Sequence, residues 1–395
     1  MHICFVSLDY PSQYSGGGVG NQVRLLGHKL IEQGHRVSVV ALAQSNLPHH
    51  VVDGGIDVFR VQTRKFHWYT YKLPLVGRHL VLAVREIEYA WACYTIVKSI
   101  HRQHPIDLIE GTETGAVLIA LFARQIRLLI RLHGEQYTFD KYTPGRGLDF
   151  NVRLRRVFQR IALRRAALLI SPSKAHAQEI RAELNGRISQ IEVISNALAL
   201  HQVPHSSSSP DPDTVLFVGR LERLKGVLVL LEAVAEVRQS IPGIQLLLVG
   251  SNHPTLSKDV IFTTIQRLDL KDHVQILGHV PWEQLQQLYC RASLVVLPSY
   301  YETFGVAALE AMAYSLPVVA TRAGALAEVV EDGVTGLLVT PGDALALATA
   351  IMMLLSDSEL RQCMGKAGAL RVAQLFDADK TTSQSVAVYL RAMQV

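Results

Sequence analysis

ASLVVLPSYYETFGVAALEAMAYSLPVVATRAGALAEVVEDGVTGLLV, residues 292–339, decides the fold. Leu294–Pro298 is a short β-rich apolar run and Ser299–Gly305 a polar loop. Val306–Tyr314 has helical period, Pro317–Thr321 is a second apolar run, and a glycine-punctuated loop follows. A strand–helix–strand unit of this kind aims the helix N-terminus, with its free N–H groups and positive dipole end, at the carboxyl edge of a parallel sheet. Glu302 falls in the loop and Glu310 in the helix. Carboxylates accept hydrogen bonds and do not donate them, which suits the hydroxyls of a sugar or ribose; two solvated surface acids give the same spacing. Phe304-Gly305 stands at the loop-to-helix junction, where a residue without a side chain lets backbone approach a ligand.

The same rhythm runs through the second half. Thr214–Val218 reads as a strand, Gly219–Gly226 as a loop and Val227–Arg238 as a helix. Strand Gln245–Val249, helix Val260–Leu268, strand Val274–Leu277 and helix Pro281–Cys290 lead into the deciding stretch. Asp343–Leu355, Asp357–Leu375 and Thr381–Met393 close the chain as helices. In the first turn, FVGRLERLKG, Arg220 offers two parallel N–H donors and Lys225 a point charge, a pair that suits a diphosphate. A solvated surface is the other reading of two such cations. The second phosphate-suited turn at Phe304–Ala307 weighs toward an anion site.

The first half opens with strand Ile3–Leu8, the turn DYPSQYSGGGVGNQV, helix Asn21–Gln33 and strand Arg36–Ala43. Asn21 occupies the third position of the dinucleotide fingerprint, so a nicotinamide cofactor is not expected. Val51–Gln62 reads as a strand pair turned at Asp53-Gly54-Gly55. Thr63–Arg78 is aromatic and basic, facing either an acceptor or lipid or its own domain. Helix His79–His101, strand Leu108–Glu110, helix Thr114–Arg124 and strand Arg127–His133 follow. His133 at the strand tip either donates to a substrate oxygen or sits in solvent. Asn151–Arg165 is a basic amphipathic helix with an apolar stripe of Leu154, Val157, Phe158 and Ile161 and a separate face of Arg153, Arg156, Arg160 and Arg164. Such a helix rests on anionic lipid or packs on a core with its charged side in water. Strand Ala167–Ser171, helix Lys174–Leu184 and strand Ile191–Ile194 end the half. QVPHSSSSPDPD, residues 202–213, reads as a linker, and its Asp211-Pro212-Asp213 is not taken as a metal site.

The chain of 395 residues, 49% hydrophobic and 18% charged, is long enough for two cores. The expected organisation is an α/β pair of doubly wound, Rossmann-like parallel-sheet domains facing across a cleft, with the ligand between their carboxyl edges. The boundaries are 1–200, a linker at 201–213, and 214–379, with helix 380–395 packing back on the first domain. A net charge of +5 fits an anionic ligand or membrane surface, and no nucleic-acid motif accompanies it. The four cysteines form no Cys-x-x-Cys pair, which points to free thiols in a reducing compartment. No leader or uninterrupted span of roughly 20 apolar residues is present, so a cytoplasmic protein is expected, with peripheral contact at the inner membrane face as an option.

FVGRLERLKG, the two glutamates within PSYYETFGVAALEAMAYSLPVVAT, and EVVEDGVTGLLV together resemble the retaining glycosyltransferases of family 4, which have the GT-B fold. The opening SLDYPSQYSGGGVGNQV and the later HG and SPS segments are similar to that family's N-terminal, acceptor-binding domain. The resemblance implies transfer of a sugar from a nucleoside-diphosphate donor to an acceptor hydroxyl with retained anomeric configuration, without metal or cofactor. Glycans, lipids and small molecules are the candidate acceptors. It implies that Arg220 and Lys225 bind the donor diphosphate, Glu310 the ribose and Glu302 the transferred sugar. The backbone of Phe304, Gly305, Val306 and Ala307 would lie along phosphate or sugar, Gly17 and Gly18 would approach the donor phosphate and acceptor, and His133 would line the reaction centre. One departure is Asn196-Ala197-Leu198-Ala199, where the family often has Asn-Gly-Val-Asp. A sugar-nucleotide epimerase on the same fold and a non-catalytic nucleotide-sugar sensor are the alternatives; retention of both glutamates and both cations weighs against the sensor. Donor base, sugar, acceptor and oligomeric state are not encoded legibly.

Overall fold

A computed structural model of the chain describes residues 1–11, 18–43, 47–63, 81–134, 141, 150–185, 190–198 and 211–394. Its contacts divide it into two compact units, Met1–Ala197 with Ala378–Val395, and Leu198–Asp377.

The first unit is built on an eight-stranded sheet in the order β3-β4-β2-β1-β5-β6-β7-β8. Its strands are β1 (His2–Ser7), β2 (Arg36–Leu42), β3 (His50–Asp53), β4 (Ile56–Val61), β5 (Leu108–Gly111), β6 (Arg127–Arg131), β7 (Leu168–Ser171) and β8 (Ile191–Val193). All pairings are parallel except β3 with β4, the hairpin turned at Gly54-Gly55. The inner strands read as continuous apolar runs because both faces are covered, one by the cluster around Ile109, Ile130 and Leu169 and the other by that around Phe5, Val39 and Leu129. The chain winds outward from β1 to β4 and then from β5 to β8, so its direction reverses between β1 and β5.

The closing helix, Ala378–Gln394, belongs to this unit. Val388, Tyr389 and Ala392 join its core, and Lys29 of helix Gly18–Glu32 pairs with Asp379 at 2.9 Å. Tyr389 donates to Glu110 at 2.5 Å, while Arg131 donates to both oxygens of Glu110 and, at 3.1 Å, to Ser385. A buried carboxylate is thus satisfied by a guanidinium and a phenol from distant parts of the chain.

The second unit has six parallel strands in the order β11-β10-β9-β12-β13-β14. They are β9 (Thr214–Val218), β10 (Gln245–Val249), β11 (Val274–Gly278), β12 (Leu294–Leu297), β13 (Val318–Thr321) and β14 (Gly336–Val339). β14 and the short helix Leu326–Val329 fall in what reads from sequence as a loop; four residues of edge strand that begin with Gly336 and lie between Thr335 and Thr340 carry little periodic signal. Helices Ala344–Ser356 and Ser358–Leu375 begin where Asp343 and Asp357 accept the amides of Ala346 and Leu360, each at 2.9 Å.

Three expectations are corrected. Asp211, Pro212 and Asp213, read as linker, belong to the second unit: the Asp211 amide bonds to the Arg291 carbonyl and its carboxylate takes two N–H groups of Arg291. Residues 201–210 lie outside the described residues, as do 64–78 of the aromatic, basic segment. Helix Thr114–Arg124 shrinks to Val117–Phe122. In helix Phe150–Arg165 the stripe residues Phe158 and Ile161 pack against the core, but Val157 is exposed and the buried residues are Asn151, Val152, Gln159, Ala162 and Leu163. Its arginines are partly engaged, Arg155 with Glu86 at 2.8 Å and Arg160 with Glu183. Among the described residues no helix is long and apolar enough to cross a membrane.

Candidate functional site

In the second unit the winding reverses between β9 and β12, and the loops leaving those two strands meet there. The first loop runs from Gly219 through a 3-10 turn, Arg223–Lys225, to Gly226. The second runs from Pro298 to Gly305 and feeds helix Val306–Ala313. Gly226 has φ +69°, and a Cβ there would lie 2.0 Å from the Pro298 carbonyl oxygen. Only a residue lacking Cβ brings the two loops this close. The Tyr300 amide then donates to the Leu224 carbonyl at 2.8 Å.

That approach joins Lys225 and Glu302. Lys225 Nζ lies 2.5 Å from Glu302 Oε1, with side chains 18% and 14% exposed. Ser299, itself buried, donates to the same oxygen at 3.1 Å. The Glu302 carbonyl accepts from Ala325 at 2.9 Å, so the loop is braced from both sides. Arg220 stands 2.8 Å from Oε1 of the buried Glu222, an ion pair rather than an aligned hydrogen bond. His253 Nδ1 lies 3.3 Å from the other oxygen. About half of the Arg220 side chain remains in solvent.

Gly305, at φ +97°, starts the helix, and no side chain caps it. Val306 and Ala307 therefore present amides with no intrahelical acceptor, next to the positive end of the helix dipole. The Phe304 side chain faces the core, 3% exposed and edge-on to Phe376 with ring centroids 5.8 Å apart, which leaves its backbone to the loop surface. Glu310 accepts a hydrogen bond from Tyr289 at 2.7 Å. The residue keeps a minority of its surface in solvent, yet burial pushes its carboxyl up to about 7, the tyrosine bond opposing the shift.

In the first unit, Gly18 is the first residue of its helix, and Gly17 lies outside the described residues. His133 follows β6. Its amide donates to Glu113 Oε1, as does that of Gly134 at 3.3 Å, and Glu113 is 5% exposed. Asn196 is nearly buried, and Gln22 clamps Ala197 through two hydrogen bonds of 2.8 and 2.9 Å. The cavity beside them is lined by Gln22, Glu110, Arg131, His133, Asn196 and Thr382, among others. Cys4, Cys93, Cys290 and Cys363 are all free.

Residues 17–197 match the family described as glycosyl transferase 4-like domain, and residues 202–371 that described as glycosyl transferases group 1. The chain belongs to the group 1 glycosyltransferase family. D-inositol 3-phosphate glycosyltransferase of Segniliparus rotundus is 38% identical over 186 residues, 47% of this chain and 41% of that protein. The chain spans about half the length of such curated relatives. Sucrose-phosphate synthase from Thermosynechococcus elongatus has a TM-score of 0.82 at 27% identity, over 99% of this chain and 98% of that one. Anabaena HepE, solved with UDP-glucose, has a TM-score of 0.71 at 23% identity, over 98% and 100% of the two chains. The two parallel-sheet α/β units are those of the GT-B fold.

Within this group 1 chain, the structure brings Lys225 together with Glu302 beside the helix start at Gly305–Ala307. Arg220 is on the same first loop. His133 and Gly18 belong to the other unit. Sequence reasoning missed Glu222, Ser299 and Tyr289, which hold Arg220, Glu302 and Glu310, and Glu113, which holds the His133 backbone. Glu222 sits two residues from Arg220, and Glu113 lies two residues beyond the end of β5; polar residues at the carboxyl ends of strands were the available signal.

Proposed function

We propose that the chain transfers a sugar from a nucleoside-diphosphate donor to an acceptor hydroxyl, with retention and without a metal ion. The observation that carries this reading is the meeting of a cation and a carboxylate, Lys225 and Glu302, beside a helix N-terminus at the point where the sheet's winding reverses. Family membership supports the same reading.

Breaking the glycosyl–phosphate bond puts negative charge on the leaving diphosphate and oxocarbenium character on the sugar. Arg220, Lys225 and the amides of Gly305, Val306 and Ala307 stabilise the first by preorganised electrostatics, the role a divalent cation fills elsewhere. Glu302 holds hydroxyls of the transferred sugar and Glu310 those of the ribose. Attack comes from the face the diphosphate leaves, and the leaving phosphate oxygen takes the acceptor's proton. His133 lines the reaction centre, and Glu113 fixes the backbone that carries it.

The test is transfer from labelled UDP-, GDP- and ADP-sugars to glycan, lipid and small-molecule acceptors, with the product anomer read by NMR and chelator present. UDP-glucose comes first, since Anabaena HepE was solved with it. Arg220→Ala lowers kcat/KM at least about tenfold, the order of a charged hydrogen bond's 1.5–3 kcal/mol. Inverted product, or activity lost to chelator, overturns the corresponding part.

A further inference from the structure

The first loop commits its lysine to the glutamate of the second. Lys225 and Glu302 are both mostly buried and lie at 2.5 Å, and Ser299 adds a second donor to the same carboxylate oxygen. A pair this enclosed is weakly screened, so it competes with any anion that needs the lysine. Arg220 is placed differently. Its guanidinium is half in solvent and has five N–H donors, so it reaches an anion while keeping Glu222.

We infer that the Lys225–Glu302 pair is a specificity device that favours sugar-bearing nucleotides over the sugar-free nucleoside diphosphate. This rests on the donor assignment above. When a nucleotide sugar arrives, Lys225 turns to the diphosphate and the sugar hydroxyls donate to Glu302, so both halves of the split pair are satisfied. A nucleoside diphosphate brings no hydroxyl to that position. Glu302 then either keeps Lys225 from the phosphate or stands without its cation, held by Ser299 alone, beside a second negative group, and both outcomes weaken binding. The same competition applies after transfer. Once the sugar has moved to the acceptor, Glu302 loses its hydroxyls and reclaims the lysine, which loosens the spent diphosphate.

Calorimetry on the full chain decides it, using UDP, GDP and ADP each beside its glucose ester. For the nucleotide that the wild type binds, Glu302→Gln is expected to bind the sugar-free diphosphate at least threefold more tightly and the glucose ester more weakly. Lys225→Ala weakens both. A glutamate with a merely structural role would weaken both ligands in Glu302→Gln. Sugar-free affinity unchanged or reduced in that variant, with an unaltered circular dichroism spectrum, overturns the inference while leaving the transferase reading standing. Wild type that binds none of the six ligands overturns the donor assignment, and the inference falls with it.

Discussion

Glu310 is a carboxylic acid that the fold keeps away from water. Its unfolded value is 4.5, and burial raises it to about 7 in the folded chain. Below pH 4.5 both states hold the proton and the group contributes nothing. Between 4.5 and 7 the unfolded chain releases the proton while the folded one retains it, so stability falls as pH rises and the full cost stands above 7. A shift of this size corresponds to about 3 kcal/mol, reduced toward ~2 by the residue's remaining water contact. Glu310→Gln is therefore expected to stabilise the protein at pH 8 and to leave it unchanged at pH 4. Denaturant melts across that range check this, and parallel pH profiles for variant and wild type would refute the burial argument. If Glu310 holds the ribose as proposed, the same titration is expected to strengthen donor binding as pH climbs through 7, because the ionised carboxylate is the stronger acceptor.

At the scale of elements, two contacts carry more than their size. Gly226→Ala forces a Cβ to within 2.0 Å of the Pro298 carbonyl at a φ of +69°. Strain and displacement together cost about 3 kcal/mol or more, and the loops bearing Lys225 and Glu302 part. Lower melting temperature with transfer lost beyond that of a merely destabilised control is the expected result; normal stability would show that the loops are not in this contact. The second is the tie between strands β5 and β6 and the terminal helix. Arg131→Met leaves Glu110 buried without its cation and costs about 3–5 kcal/mol. Tyr389→Phe removes one bond to a charged acceptor, about 1.5–3 kcal/mol. Chemical denaturation ranks the two, and the reverse order would contradict the assignment of Arg131 as the principal partner.

For the whole molecule, the chain passes from one unit to the other at Ala197–Leu198 and again at Asp377–Ala378. The first unit is therefore discontinuous. Val388 and Tyr389, fully enclosed in its core, arrive from the far end of the sequence. A fragment of residues 1–197 is expected to be poorly folded, exposing apolar surface to a hydrophobic dye, whereas residues 198–377 give a cooperative melt. Equal cooperativity in both fragments would mean that the terminal helix is dispensable to that core.

What the sequence by itself determined was the α/β alternation, since buried parallel strands need unbroken apolar runs and the helices between them need a 3.6-residue period. Thr214–Val218, Leu294–Leu297 and the helices that start at Asp343 and Asp357 were legible for that local reason. The candidate residues were legible as types at strand ends: cations after β9, acids after β12. Where a signal was short or shared, it failed. β14 is four residues long, and the buried face of Phe150–Arg165 only partly follows its apolar stripe, taking Phe158 and Ile161 but leaving Val157 exposed. Only the tertiary structure decided that Lys225 faces Glu302, that Tyr289 holds Glu310, and that Tyr389 holds Glu110 in a core begun at Ile3. Those pairings join residues from 21 to 279 positions apart, and local propensity carries no information at such separations. They exist because sheet order and a close backbone approach at Gly226 bring the groups together, and burial then makes each one need its partner.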